Sequence, residues 1–256
     1  MKKIIKLYIL ILVSLYFVGC SSSIDTSGFT GEQKLDYAKK LYIEEDYFDA
    51  LQEFNAIVLE YPGSAIVDDA LYYLAMTRFQ RSEYILAAFE FSKLIKNMSA
   101  SEFVPISQFM LAECYYELSP NYTLEQKYTK KAIEEYQAFI DFFPSNNKVK
   151  EVEAKIVELN DKLARKELHS AQIYETLGYD DAALYYYSNL IEVYHETQYA
   201  PQAMLSKINL LEDREKNQEA LAEANKFISR YPNSQLIDQV KKIKASLENK
   251  FSNIDK

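Results

Sequence analysis

The side chains that most often carry enzyme or metal chemistry are sparse in this 256-residue chain and poorly spaced for it. Its two histidines, His169 and His195, form no His-Glu-x-x-His arrangement, and no Cys/His spacing typical of a metal site occurs. With only five glycines, the chain has no phosphate-cradling loop and no nucleophile elbow. We interpret its paired acids as solvated helix faces or helix-terminal residues. The sequence therefore predicts a protein that is not an enzyme, with no catalytic residues, no metal and no cofactor.

Cys20 is the one residue for which the sequence predicts a covalent reaction. Residues 1–19 combine a basic start with an apolar run of roughly a dozen residues, which is typical of a signal peptide and too short to span a membrane. The pair Gly19-Cys20 resembles the lipobox of bacterial lipoproteins, with Phe17 where leucine is usual. The resemblance implies that the Cys20 thiol receives a diacylglycerol and that its amine is acylated after cleavage. An ordinary signal peptide with a chance cysteine is the alternative.

Lipidation at Cys20 would place the protein on a membrane. More than one acyl chain gives stable anchoring, and a serine after the cysteine, here Ser21, points to the outer membrane in the enterobacterial sorting rule. We expect an anchor in the inner leaflet of that membrane, a protein facing the periplasm, and a flexible tether over residues 20–31. Cys114 then has no partner for a disulfide, and we expect a buried structural thiol inside a helix.

The composition excludes one class of partner. The formal net charge is −9, and removal of the three lysines of the leader gives −9 − 3 = −12. Nucleic acid is therefore not expected as a partner, because phosphate binding needs clustered lysine and arginine. The 22 tyrosines suit half-buried surfaces with one apolar side and one wet tip.

The elements that would position any site are read from an internal repeat. Five small residues serve as anchors of similar segments: Ala50, Ala87, Ala132, Ala183 and Ala220. Four residues after each anchor stand Phe54, Phe91, Tyr136, Tyr187 and Ala224, and twelve residues after stand Pro62, Ser99, Pro144, His195 and Pro232. Proline there fits a helix end, since it cannot continue the hydrogen-bond ladder. Each anchor is expected to open the second helix of a hairpin.

The first helix of each hairpin is expected to offer a small residue at the helix contact. Those residues are Ala38, Ala75, Ala112 and Ala171, with Ile208 as the exception in the fifth unit and an insertion of about eight residues in the third. The pattern resembles the tetratricopeptide repeat, so we predict an all-α solenoid of about five helical hairpins. We divide it into an N-terminal block of three repeats (32–148), a long linking helix across 149–174 followed by two repeats (149–243), and a fraying tail (244–256).

The register of that repeat predicts which residues line the groove formed by the first helices. In units one to three these are Leu35, Lys39, Tyr42, Tyr72, Met76, Phe79, Phe109, Glu113 and Tyr116. In units four and five they are Arg165, Leu168, Gln172, Glu175, Gln202, Leu205, Asn209 and Glu212. The first set is rich in aromatic residues and suits an extended peptide, whereas the second is more polar.

The whole chain resembles the BamD family, lipoprotein subunits of the β-barrel assembly machinery of the bacterial outer membrane. The resemblance rests on Cys20, the five repeat units, the insertion in the third unit and the long helix that leads into residues 171–179. It implies that the N-terminal repeats receive the C-terminal segments of unfolded outer-membrane proteins. It also implies that the C-terminal repeats, through Arg165, Gln172, Glu175, Asn209 and Glu212, dock on a BamA-like barrel protein.

Two further expectations follow from the resemblance. Other lipoproteins of the assembly machinery are possible partners, and the membrane is contacted through the lipid anchor. The alternative reading is another repeat lipoprotein of the envelope, such as a pilotin that escorts a secretin or a coordinator of the Tol-Pal type. The typical coordinator has an N-terminal coiled coil, and the lack of such heptads before Glu32 counts against it.

Overall fold

The computed structural model describes residues 26–254, so the predicted signal peptide and Cys20 lie outside the described residues. Eleven helices follow one another in that part of the chain, and no strand occurs within it. They are α1 (Gly31–Ile43), α2 (Tyr47–Glu60), α3 (Val67–Gln80), α4 (Tyr84–Asn97), α5 (Val104–Glu117), α6 (Lys127–Phe142), α7 (Val149–Thr176), α8 (Asp180–Val193), α9 (Ala200–Asp213), α10 (Asn217–Arg230) and α11 (Ile237–Ile254). The predicted all-α solenoid of helical hairpins is confirmed.

Small residues hold the two helices of each hairpin close together. The five anchor alanines and their partners on the first helices, Ala38, Ala75, Ala112, Ala171 and Ile208, all have no exposed surface. Four residues after the anchors, Phe54, Phe91, Tyr136, Tyr187 and Ala224 are also fully buried. Residues i and i+4 lie on the same face of a helix. Each anchor and the residue four positions after it therefore form the inward face of the second helix of the hairpin. The predicted register is therefore confirmed in all five units.

The turn within each hairpin and the turn between successive units also recur along the chain. Between the first and second helix of four units, one residue has a left-handed backbone: Glu45, Ser82, Gly178 and Glu215, with φ between 59° and 75°. The residue after each donates its amide to a carbonyl five positions earlier, as Asp46 does to Leu41 and Tyr179 does to Tyr174. These bonds satisfy carbonyl groups that a helix end otherwise leaves free.

The turn between units has a signature that the sequence analysis missed. Fourteen residues after each anchor stands a small polar residue: Ser64, Ser101, Asn146, Thr197 and Ser234. Each donates its amide to the carbonyl three positions earlier and accepts, through its own carbonyl, the amide three positions later. Side-chain oxygens of Ser101, Asn146 and Ser234 also accept an amide two residues on. This position sets the entry of the next hairpin, because it bonds on both sides of the turn.

The helix predicted across residues 149–174 is present as α7, which has 28 residues. Val152 and Leu159, in its first half, pack into the core of the second and third units. Leu168 and Ala171, in its second half, belong to the core of the fourth and fifth units. One continuous helix therefore carries the apolar core from one block into the next.

The fraying tail predicted for residues 244–256 is wrong for most of its length. Helix α11 continues to Ile254, and Leu247 is fully buried beside Leu211 and Ala220. The physical reason is that the last hairpin of a solenoid has an apolar face with no following repeat to cover it. Helix α11 supplies that cover, with Val240 fully buried about two turns before Leu247.

The left-handed turn position gives a stability prediction. Gly178→Ala is expected to lower the free energy of unfolding by about 1 kcal/mol, because a Cβ disfavours this backbone, while no neighbouring atom lies within 4 Å of the added Cβ. Ser82→Gly, at the same position of unit two, should not lower it. Urea unfolding of both variants measures the difference. Equal losses in the two variants would show that the backbone conformation is not the cause.

Candidate protein-binding surfaces

The predicted groove residues of units one and two form a connected aromatic surface. Tyr42 contacts Tyr73 with ring centroids 5.5 Å apart, and Tyr73 in turn contacts Tyr72 at 5.3 Å. Tyr72 stacks on Phe103, which precedes the first helix of unit three, at 4.5 Å. Lys39 Nζ lies 5.0 Å from the Tyr73 ring. We name these residues, Lys39, Tyr42, Tyr72, Tyr73 and Phe103, the aromatic groove.

The aromatic groove combines apolar ring faces with fixed charges. Its side chains are half-buried, and burial raises the pKa of the Tyr42 and Tyr72 hydroxyls, so both remain protonated at neutral pH. Lys39 forms an ion pair with Asp69 across α1 and α3. Sequence reasoning missed Tyr73 and Phe103, although the adjacent pair Tyr72-Tyr73 was a visible signal. Two other predicted groove residues of these units, Met76 and Phe79, are partly exposed and pack against the core of the second and third units. The ring centroids of Phe79 and Tyr84 are 5.2 Å apart.

Two predicted groove residues are not available to a ligand. Leu35 is buried in the core of unit one, and Phe109 is buried in the core of unit three. The start of α7 lies across Phe109. Lys148 Nζ, directly before the helix, and Lys155 Nζ, within it, are 4.2 Å and 5.9 Å from the Phe109 ring centroid. The prediction that these two side chains line an open surface is therefore wrong. Leu35 lies in a core that the first two units build, and α7, which is distant in sequence, covers Phe109.

The remaining groove residues of unit three are bonded to α7. Glu113 accepts hydrogen bonds from the Tyr136 hydroxyl and from Lys155 Nζ, the latter at 2.6 Å. Tyr116 donates to Glu158 at 2.9 Å, and burial together with that bond raises the pKa of Tyr116 to about 12. We call Glu113, Tyr136 and Lys155 the α5–α7 clasp. Because the clasp fills the third unit, the open part of the groove ends at Phe103.

The residues predicted to dock a partner in the C-terminal block are mostly engaged within the fold. Arg165 lies 4.1 Å over the Tyr122 ring of the third-unit insertion, and Glu175 accepts from the Tyr187 hydroxyl at 2.5 Å. Glu212 is paired with Lys250 of α11 at 2.7 Å. Gln172 is exposed, whereas the side chains of Leu168 and Leu205 are buried. Gln202 and Asn209 line a shallow polar cavity of about 610 Å³ with Leu205.

A second surface, which the sequence analysis did not single out, surrounds the turn between α7 and α8. Ile173, Leu177, Tyr179 and Tyr185 are 44%, 61%, 62% and 67% exposed, and we call them the α7–α8 edge. Among them, Tyr179 lines a cavity of about 770 Å³ together with Tyr174, Asp181 and Lys216. The spacing of Ile173 and Leu177, one turn apart on a helix, was the signal that could have located it.

The remaining chemistry is sparse in the described part of the chain. Residues 26–254 contain no group of three or more histidine, cysteine, aspartate or glutamate side chains that could hold a metal ion. Among the helices of that range, none is both long and apolar enough to cross a membrane. Cys114 is fully buried, as expected, and burial raises the pKa of its thiol.

Comparison with known proteins gives a family and two relatives. The model of the family YfiO, described as outer membrane lipoprotein, matches residues 32–213. The outer membrane protein assembly factor BamD of Rickettsia prowazekii is 23% identical over 197 residues, which cover 76% of this chain and 78% of that protein. The BamD of Helicobacter pylori is 24% identical over 102 residues, or 40% of this chain and 44% of that protein.

Solved structures overlay only loosely on the chain. A tetratricopeptide-repeat protein of Thermus thermophilus, TTC0263, gives a TM-score of 0.37 at 18% identity, with 85% of this chain and 98% of that chain covered. The TPR2AB domain of yeast Sti1, in a complex with pHSP90, gives a TM-score of 0.43 at 17% identity, with 87% of this chain and 84% of that chain covered. Overlays at these scores carry no argument about function.

The clasp gives a prediction about stability. Lys155→Met should lower the free energy of unfolding by at most about 3 kcal/mol, because it leaves the largely but not fully buried Glu113 carboxylate without its cation. The exposed Lys150 on the same helix is the matched control, and Lys150→Met should change stability by less than about 0.5 kcal/mol. Urea unfolding followed by circular dichroism measures both. Indistinguishable midpoints for the two variants would contradict the role assigned to the clasp.

Proposed function

The chain belongs to the YfiO family of outer membrane lipoproteins, and on that premise we propose that it is a lipid-anchored scaffold of the β-barrel assembly machinery. In this proposal it binds the C-terminal segments of unfolded outer-membrane proteins and a BamA-like barrel protein, and it promotes insertion without catalytic chemistry of its own. The relatives from Rickettsia prowazekii and Helicobacter pylori, both named outer membrane protein assembly factors, support the general role.

The aromatic groove is the observation that carries the substrate half of the proposal. Its four rings contact one another in sequence from α1 to the start of α5, over a distance that an extended peptide of several residues can follow. Aromatic and apolar side chains of such a peptide would bury surface against the rings, while the tyrosine hydroxyls remain able to hydrogen-bond its backbone. The Lys39–Asp69 pair supplies one group of each charge within the same surface.

The α7–α8 edge supports the partner half. Exposed apolar residues clustered beside a cavity mark protein-binding sites in soluble proteins. The cavity also presents Arg214, paired with Asp180, and the exposed Lys216. The edge has the apolar centre and charged rim of a protein interface. We therefore place the BamA-like partner here, next to the exposed Gln172, rather than on the internally bonded Glu175 and Glu212.

The anchor is the third part of the proposal. Cys20 is expected to carry the lipid that holds the protein on the inner leaflet of the outer membrane. A protein held there by more than one acyl chain stays bound without a membrane-spanning helix. Other lipoproteins of the machinery are candidate neighbours on the same leaflet.

Replacement of the anchoring residue tests membrane attachment. Cys20→Ser should abolish incorporation of labelled fatty acid and lipoprotein-type cleavage, because the serine hydroxyl does not replace the thiolate as the acylated nucleophile. The variant should leave the outer-membrane fraction, as uncleaved precursor or as soluble protein. Normal acylation and fractionation of the variant would refute the lipoprotein assignment.

Two reciprocal variants test the two binding surfaces. Tyr42→Ala with Tyr72→Ala should weaken binding of a labelled C-terminal peptide of a barrel protein by about 2 kcal/mol, roughly thirtyfold, as loss of central aromatic anchors does. Leu177→Ser with Tyr185→Ala should leave peptide binding intact and abolish recovery of the BamA-like protein in a pull-down.

The matched readouts make the assignment of surfaces decisive. Fluorescence anisotropy measures the peptide, and circular dichroism establishes that both variants keep their helical content. Loss of partner recovery in the groove variant, with peptide binding unchanged, would show that the two surfaces are assigned the wrong way round. Recovery of a secretin instead of a BamA-like protein would favour the pilotin alternative.

A further inference from the structure

The outward faces of α2 and α4 are apolar in a way that the repeat itself does not require. The core faces of these helices carry Ala50, Phe54 and Ile57 in α2 and the equivalent residues in α4. The positions opposite the core are two residues before the anchor and two, five and nine residues after it. They are Phe48, Gln52, Asn55 and Leu59 in α2, and Ile85, Phe89, Ser92 and Lys96 in α4.

The apolar members of this set are strongly exposed. Phe48, Leu59 and Phe89 are 63%, 79% and 64% exposed, and Ile85 is 49% exposed. We call these four residues the outward patch. Leu86, beside Ile85, is 48% exposed and extends it. Phe48 and Ile85 hold the same register position, two residues before the anchor, and all four side chains lie on the outward faces of α2 and α4.

The same register positions in the other units show that the fold tolerates polar residues there. Unit three has Lys130, Glu134, Gln137 and Asp141, unit four has Asp181, Tyr185, Ser188 and Glu192, and unit five has Gln218, Ala222, Asn225 and Ser229. Apart from Tyr185, which belongs to the α7–α8 edge, no aromatic or large aliphatic residue stands at these positions in units three to five, so the outward patch is a feature of the first two units. The packing of the repeats therefore does not explain why the residues of the outward patch are apolar.

The charges around the patch indicate what kind of surface would cover it. The outward positions of α2 and α4 include no acidic residue and one cation, Lys96. A lysine at the edge of an apolar face can extend its ammonium group toward phosphate headgroups while its stem lies on the apolar side. The turn before α2 carries Glu44, Glu45 and Asp46, so a strongly anionic surface would be repelled. A lipid surface rich in zwitterionic headgroups satisfies both conditions.

The course of the chain brings this face close to the anchor. Thr26 Oγ1 lies 3.4 Å from Glu53 Oε1 of α2, and Thr26 stands six positions after Cys20. Six residues span at most roughly 20 Å when fully extended. On α2, Phe48 precedes Glu53 by five residues and Leu59 follows it by six, which is about 8–9 Å along the helix in each direction. A lipid anchor at Cys20 thus holds the bilayer within reach of the patch.

We propose that the outward patch of Phe48, Leu59, Ile85 and Phe89 rests on the bilayer surface to which the anchor ties the chain. This inference depends on the proposed lipidation of Cys20. Apolar side chains on helices that lie along a membrane enter the boundary between headgroups and acyl chains, to a depth of about 5–10 Å. Contact at α2 and α4 orients the solenoid, so that the aromatic groove on the first helices opens away from the lipid.

The chain contains no tryptophan, so a single introduced tryptophan reports on its own surroundings. The test uses the full lipidated protein in vesicles of phosphatidylethanolamine with a minor share of phosphatidylglycerol. Phe48→Trp and Phe89→Trp are the probes, and Glu134→Trp, at the register position of Phe89 in unit three, is the matched control. The emission of the two probes should shift to shorter wavelength and be quenched by lipids brominated in the upper part of the acyl chain. The control should show neither effect.

Each other outcome has a defined meaning. A lipidated protein that floats with vesicles while both probes behave like the control overturns this proposal and leaves the anchor intact. Failure to float refutes lipid anchoring itself and with it this inference. A blue shift that depends on protein concentration without vesicles would assign the patch to a second copy of the chain. A shift that requires an added protein would assign it to that protein, and both results would overturn the lipid contact.

Discussion

Close contact between the two helices of each hairpin is the constraint on which the rest of the structure depends. In every unit a fully buried anchor alanine on the second helix meets a fully buried residue on the first, which is alanine in four of the five units. Because these side chains are small, the helices approach closely and the next residue on the same face, such as Phe54 or Tyr136, fills the space between units. A larger residue at either position would separate the helices and break the stack. The surfaces that the protein presents are consequences of this register, since it fixes which residue of each helix faces inward, outward or toward a neighbour.

The sequence predicted the parts of the structure that depend on local spacing. The anchor positions, the helix ends near Pro62 and Pro232 and the continuous α7 all follow from periodicity within one or two turns. The fourteenth position after each anchor, which is always serine, threonine or asparagine, was equally visible and was overlooked. Predictions failed where a contact joins distant residues. Lys155 covers Phe109 and bonds to Glu113, which precedes it by 42 residues in the chain. No spacing rule indicates these contacts. The burial of Leu247 likewise depends on the exposed end of a stack, a property of the assembled solenoid rather than of residues 244–256.

The result is a scaffold with different surfaces at different points of one continuous array. The aromatic groove occupies the first two units, and the clasp between α5 and α7 ends it at unit three. Helix α7 passes from the clasp into unit four, where the α7–α8 edge exposes Leu177 and Tyr185. Substrate and partner would therefore bind at sites joined by a single 28-residue helix whose two halves belong to different cores. In the proposed function, such an arrangement would hold two protein ligands at a fixed separation.

Purification of the tagged, lipidated protein from gently solubilised membranes of its own organism tests the central claim most directly. Quantitative mass spectrometry of the purified complex would give the amount of each copurifying protein relative to the bait. The account predicts near-stoichiometric recovery of one outer-membrane barrel protein that carries repeated periplasmic domains. Recovery of a secretin or of cell-envelope coordinators in that amount, with no such barrel protein, would contradict it.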